Sequence, residues 1–153
     1  MKALELKIPP ALLVVIFGML MFAASLMLPK VYIAYYVKFT LTAFVLVVAS
    51  YFLIFGVVEF RRRKTTVDPR FPEKVTSLVD SGVYSISRNP MYVGFALLLV
   101  AMIFVLESPF LVFGVVAFVY YMNRFQIEPE ERVLAEIFGD MYLKYKSRVR
   151  RWV

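Results

Sequence analysis

The 153-residue chain contains no cysteine and no histidine. Without cysteine there is no disulfide, no thiolate nucleophile and no thiolate ligand for a metal. Without histidine, Ser-His and Cys-His catalysis are excluded, and nearly every zinc or haem site loses its ligands. Any chemistry falls to Glu, Asp, Arg, Lys, Tyr, amides, the backbone or a cofactor. No G-x-G-x-x-G or P-loop pattern is present, so the common soluble nucleotide-binding folds are not indicated. Internal repeats and low-complexity tracts are also missing. Charge is scarce, at 19% of residues.

What is abundant is apolar surface. Hydrophobic residues make up 61% of the chain and the mean hydropathy is +0.74, against about 45 to 50% apolar residues in ordinary soluble domains. They gather in four runs, 11–28, 39–58, 91–106 and 110–122. At about 1.5 Å per residue the first two span a hydrocarbon core of about 30 Å, and the shorter last two are expected to form a tilted or partly protein-buried hairpin. The pattern predicts an all-α polytopic membrane protein. It has a single domain over 1–153, with about four transmembrane helices, a loop at 60–90 and a tail at 123–153 containing an amphipathic helix. Ala23-Ala24-Ser25 resembles a signal-peptide cleavage site, but the apolar run continues to Leu28 before Pro29 and Lys30 and reads as a retained span.

Basic residues orient these spans, because Lys and Arg near helix ends are retained on the cytoplasmic side. The 60–90 loop holds Arg61-Arg62-Arg63-Lys64, Arg70, Lys74 and Arg88. The tail holds Arg124, Arg132, Lys144, Lys146, Arg148, Arg150 and Arg151. Both regions, and with them both termini, are expected on the cytoplasmic side of an inner membrane, leaving Tyr32, Tyr35 and Tyr36 as an outer aromatic belt. The net charge of +7 follows from this topology and suits an anionic leaflet. It requires no nucleic acid.

Two polar clusters are therefore expected to emerge on one side of the bilayer, an arrangement that points to an active site. In the first, Ser81-Gly82 is a turn signal. Asn89-Pro90 fits a helix start in which Asn caps free amides and Pro takes the first helical position. Arg88, Tyr84 and Tyr92 gather around that start, where exposed amides suit a carboxylate, and Gly94 permits close approach of a ligand. In the second, Val133, Leu134, Ile137, Phe138, Met141, Tyr142 and Tyr145 recur at helical spacing, predicting a helix from near Pro129 with a kink at Gly139. Glu130 lies on that apolar stripe, whereas Glu131 lies about 100° round toward its edge. Favourable charge in a first helical turn, about 0.3 to 1 kcal/mol, accounts for Glu131. An inward Glu130 needs a cation or ammonium partner.

The segment Leu78 to Gly94 (LVDSGVYSISRNPMYVG), with Glu130-Glu131 and Phe138 to Tyr145 (FGDMYLKY) downstream, resembles the isoprenylcysteine carboxyl methyltransferase and phospholipid methyltransferase superfamily. The match runs from the loop through the tail, more than half the chain. The resemblance implies a membrane-embedded enzyme using S-adenosylmethionine at the cytoplasmic membrane edge, with Leu78, Val79, Tyr84, Asn89, Pro90, Met91, Tyr92 and Glu130 lining the cofactor site. It also implies a lipid or lipid-linked acceptor, either an isoprenylcysteine-type carboxylate or a phospholipid amine, and no metal. Two positions depart from the family pattern. Asn89 stands where the family has His, and Gln126 stands where the isoprenylcysteine enzymes place an Arg that holds the substrate carboxylate. Arg124 is nearby but out of register; Arg124 and Gln126 are the candidate substrate contacts, and no catalytic residue is assigned. Two rival readings are a membrane reductase using NADPH, similar in its helical hairpin and tail, and a non-catalytic subunit in which Arg88 and Glu130 form a structural ion pair.

Overall fold

Proline marks where two of the apolar helices begin. Pro10 opens α1 (Pro10–Ser25) and Pro90 opens α3 (Pro90–Val105), each at a first-turn position where the missing N–H removes no helical bond. The computed structural model describes residues 5–63 and 77–153; residues 1–4, and residues 64–76 within the expected 60–90 loop, lie outside it. Between α1 and α3 runs α2 (Tyr35–Arg62). After α3 come α4 (Val112–Met122), α5 (Glu128–Phe138) and α6 (Asp140–Arg148). A 3-10 turn, Gly82–Ser85, precedes α3, another, Pro109–Leu111, precedes α4, and a π-helical turn, Asn123–Ile127, joins α4 to α5. The described residues are all helical, turn or irregular, with no strand. Two helical stretches, Tyr35–Arg62 and Pro109–Phe138, are long and apolar enough to cross a membrane; α1 and α3 are shorter apolar helices of 16 residues each.

α2 and α3 form the closest helix pair, and small residues make it possible. A Cβ added at Gly94 would lie 2.6 Å from Leu53 Cγ and 3.0 Å from the Ala49 carbonyl oxygen, and one at Gly56 would lie 2.6 Å from Met91 Cγ. Gly94 thus admits α2 rather than a ligand, correcting the expectation for that residue. Such seams suit an apolar surrounding, where burial gives little drive to pair helices and van der Waals fit decides. On the other side of α3, Leu13 and Met21 of α1 pack with Leu99, Phe118 and Met122 in the main core. The outward side of α2 leaves Phe39, Phe44, Val47 and Ile54 exposed. At the far end, Lys38 pairs with Glu107 at 3.0 Å and Ser108 Oγ donates to the Pro29 carbonyl.

The expected break between the fourth span and the tail is not there. α4, the π turn and α5 form one helical rod from Pro109 to Phe138, and the tail helix is divided at Gly139, where the kink was expected and where a φ of +50° suits glycine. Pro129 lies inside the rod and cannot donate to the carbonyl four residues back, that of Phe125. The Leu6 N–H donates to this oxygen at 3.0 Å instead, while Gln126 Nε2 donates to the Ile8 carbonyl at 2.7 Å. The segment before α1 thereby supplies the bond that proline removes.

Gly94→Ala is expected to destabilise the protein by about 1 to 3 kcal/mol, since the added methyl meets backbone as well as a side chain. Thermal unfolding in detergent checks this, and an unchanged midpoint would mean the α2–α3 seam has slack that these distances do not show.

Candidate functional site

The antiparallel course of the helices brings the end of α2, the start of α3, the π turn, α5 and the C-terminal residues to one end of the molecule. Glu131 is the hub. Its carboxylate accepts Arg88 Nη2 at 2.6 Å and Arg151 Nη2 at 2.9 Å, and lies 3.2 Å from Lys146 Nζ. The Arg88 and Glu131 side chains are 9% and 8% exposed. Arg88 also donates through Nη1 to the Val149 carbonyl, and its N–H donates to the Arg150 carbonyl at 2.9 Å. The Arg151 carbonyl accepts Ser87 Oγ at 3.3 Å and Asn89 Nδ2 at 2.9 Å, and Trp152 Nε1 donates to Asn123 Oδ1 at 3.0 Å. Residues 149–152 are thus clasped between the start of α3 and the π turn. The bond to Glu131 raises the Arg151 guanidinium pKa above its ordinary value.

Glu131 was expected at the edge of the apolar stripe, and that expectation is corrected. The stripe is divided: Ile137 and Met141 are 42% and 61% exposed, Tyr142 and Tyr145 are buried, and Glu131 is buried with them. The physical reason is that the buried Arg88 guanidinium lies on that side, and a carboxylate goes where its partners are. The structural ion pair of the rival subunit reading is also formed differently, with Arg88 joined to Glu131 rather than to Glu130.

Glu130 is half-buried and accepts the Tyr92 hydroxyl at 2.6 Å, so the two motifs of the sequence meet at this bond. Tyr84 is buried, with its ring edge-on to Phe60 at 5.3 Å and its carbonyl accepting the Tyr145 hydroxyl at 2.7 Å. Burial, reinforced by Tyr145 and by the carboxylates of Glu130 and Glu59, pushes the Tyr84 phenol well above its ordinary range. Val79 is buried with Val83 and Val93, and Leu78 is half-buried beside it. Pro90 occupies the first helical position, and Met91 faces Gly56 of α2. Asn89 makes no capping bond, because its amide is turned to Arg151. This corrects the expected cap. Gln126 is fully buried, with its Nε2 engaged by Ile8 and its Oε1 without a partner. Arg124 is paired with Glu128 at 2.7 Å on the surface. Glu128, Glu131, Arg132, Ala135, Lys146 and Arg151 line an open depression of about 380 Å³, built around the ion-pair hub rather than around Glu130 and Tyr92. Among the described residues no group of three acidic side chains could hold a metal ion.

Sequence reasoning missed Glu59, Lys146, Arg151 and Trp152. Glu59 carried a signal, being an acidic residue inside an apolar run. The other three read as tail charge and a terminal aromatic residue, and only the fold shows what they bind.

The sequence profile of the phospholipid methyltransferase family matches residues 37–141, which include nearly all of α2, the whole of α3, α4 and α5, and with them the Glu130-Glu131 pair. The chain belongs to this family. It is 41% identical over 63 residues to an uncharacterized protein of Haemophilus influenzae, covering 41% of this chain and all of that protein. It is 36% identical over 75 residues to the protein-S-isoprenylcysteine O-methyltransferase of Saccharomyces cerevisiae, covering 47% of this chain and 30% of the yeast enzyme. It is 37% identical over 79 residues to the protein-S-isoprenylcysteine O-methyltransferase B of Arabidopsis thaliana, covering 50% and 39% respectively. The chain thus matches well under half the length of these two named enzymes. No solved structure matches it. The family is one of methyltransferases, and Lys146, Arg151 and Trp152 lie beyond the matched region.

Glu131→Gln is expected to cost about 3 kcal/mol of stability by leaving Arg88 buried without its counter-charge. Arg151 and Lys146 are more exposed and add little. Glu130→Gln should unfold near the wild-type temperature. Thermal denaturation of the two variants side by side checks the contrast, and equal midpoints would refute the assignment of Glu131 as the structural carboxylate.

Proposed function

We propose that the protein transfers a methyl group from S-adenosylmethionine to a lipophilic acceptor at the cytoplasmic face of an inner membrane, which it crosses about four times with both termini inside. The observation that carries this reading is the Tyr92–Glu130 hydrogen bond. It joins the start of α3 to α5, the two segments that resemble the family's cofactor motifs, and leaves a half-buried carboxylate beside a helix start with no side-chain cap. A carboxylate held in this way suits an ammonium group. At the start of α3 the Tyr92 and Val93 N–H groups already donate to the Asn89 carbonyl and Pro90 has none, so the Met91 N–H is the first-turn donor offered to the cofactor's carboxylate. In this reading Glu130 and the start of α3 at Asn89, Pro90 and Met91 take the amino-acid end of the cofactor, and Tyr92 orients Glu130. Leu78, Val79 and Tyr84 form the wall on the α2 side.

When bound, the cofactor supplies a methyl group on a sulfonium, open to in-line displacement by the acceptor. The protein's part is then alignment and exclusion of water. A dedicated base is needed only for an acceptor that must first lose a proton, and the chain has no histidine for that task. A carboxylate is already a nucleophile, but Gln126 carries no charge to hold one and its amide is engaged by Ile8. The acceptor's head group is therefore left as a carboxylate or a phospholipid amine. Its tail is expected to enter sideways from the bilayer.

Three measurements check this reading. Glu130→Gln is expected to weaken S-adenosylmethionine binding by about 2 to 5 kcal/mol, read by calorimetry, and unchanged affinity would reject the role of Glu130. Mass spectrometry of membrane lipids incubated with methyl-deuterated cofactor should show label in a lipid or lipid-linked product, with water-soluble head-group analogues left unlabelled. Equal labelling of tail-free analogues would sink lateral entry. A cysteine placed at the exposed Ser147 should react only with membrane-permeant reagents, and reaction from the outer face of intact cells would overturn the topology.

A further inference from the structure

Glu59 is the only acidic residue of α2, a 28-residue apolar helix, and it lies on the buried face with Ala49, Phe52 and Gly56 that packs on α3. The residue is 8% exposed. An ionisable side chain on the inward face of such a helix is costly unless its oxygens are used. Arg61 to Arg63 follow directly, so a carboxylate here would find cations on the surface. Instead it turns inward. Its Oε2 accepts Ser81 Oγ at 3.1 Å, and among the described residues its Oε1 meets the exposed Arg62 at 3.4 Å.

The carboxylate rests on Gly82. A Cβ at that position would lie 2.6 Å from Glu59 Oε1 and 2.8 Å from its Cδ, and Gly82 has a φ of +59°. Absence of a side chain and left-handed backbone are both required for the turn to fold over the acid. Arg63 supports the same arrangement, donating to Ser81 Oγ at 3.3 Å and lying 3.5 Å from Asp80, while Ser77 Oγ donates to the Arg63 carbonyl at 3.2 Å. The chain then continues as the Gly82–Ser85 turn, placing the Tyr84 ring against Phe60, the neighbour of Glu59.

We infer that Glu59 is a positioning residue: through Ser81 and Gly82 it fixes the turn that presents Leu78, Val79 and Tyr84 to the cofactor, and so sets cofactor affinity without touching the cofactor itself. This rests on the cofactor site proposed above. A topology anchor needs only cations, and a residue serving packing alone would not be a carboxylate seated on a glycine. The rigid end of α2 supplies the order that the turn would otherwise lose and regain on each binding event.

The test compares full-length wild type, Glu59→Ala and Glu59→Gln in detergent by two independent measurements. Hydrogen exchange reads the amides of 78–86 without any ligand, and calorimetry reads the Kd of S-adenosylhomocysteine. Glu59→Ala is expected to speed exchange in 78–86 about tenfold, with α3 and α4 unchanged, and to raise the Kd about tenfold or more. Glu59→Gln keeps an oxygen for Ser81 and should restore most of both. A merely structural glutamate would lower the unfolding temperature while leaving the Kd of the folded protein and the exchange of 78–86 as in wild type, and that result overturns the inference. Should Glu59→Ala not fold, Ser81→Ala removes the donor alone and carries the same expectation at about threefold. A wild-type protein that binds no S-adenosylhomocysteine would overturn the cofactor site on which the affinity role depends. The exchange comparison then decides separately whether Glu59 orders the turn.

Discussion

The buried pair between Arg88 and Glu131 holds the polar end of the molecule together. Neither charge is stable there alone, and each is placed by a different element, Arg88 by the turn before α3 and Glu131 by α5. Because Arg88 also reaches the Val149 carbonyl, the same residue that joins the two helices holds the C-terminal segment. Glu130 follows from this arrangement. With Glu131 turned into the ion-pair hub, its neighbour is rotated by about 100° and meets the Tyr92 hydroxyl instead. One glutamate is bound into the ion-pair hub, and the other has a single tyrosine hydroxyl as its hydrogen-bond donor among the described contacts.

The helices themselves are joined by a different principle. Gly56 and Gly94 bring α2 and α3 within backbone contact, and this fit sets the height at which the end of α2 stands beside the start of α3. Glu59, Phe60, Tyr84 and Met91 all depend on that height. Packing in the apolar part and charge pairing at the polar end are thus consecutive parts of one construction, the first delivering the residues that the second binds.

The helical class and the places where α1 and α3 begin were legible because apolar runs and first-turn prolines act locally. The meeting of Tyr92 with Glu130 was legible as a juxtaposition of two motifs. The roles of Glu130 and Glu131 were harder to tell apart. Helical spacing identifies an inner face only where the outside is water, and the stripe is in fact divided, with Tyr142 and Tyr145 buried and Ile137 and Met141 exposed. The clasp formed by Arg151 and Trp152 was not legible at all, since its partners lie far away in sequence and no pattern in the last residues reports them. Asn89 looked like a cap because its type and position fit one. Competition from the Arg151 carbonyl decided otherwise, and such a contact exists only once the chain has folded.

The uninterrupted rod from Pro109 to Phe138 has a mechanical consequence. Glu130 and Glu131 ride on it, whereas Tyr92 and Arg88 belong to α3 and the turn before it. Where the rod crosses a bilayer, its inclination responds to the thickness of the hydrocarbon layer, because a long apolar helix tilts to match a thin one. The π turn and Pro129 stand just before the two glutamates, and there the rod is tied to the segment before α1 by the Leu6 N–H. A change of inclination would therefore be felt at the Tyr92–Glu130 and Arg88–Glu131 contacts, which tie the rod to α3 and the turn before it.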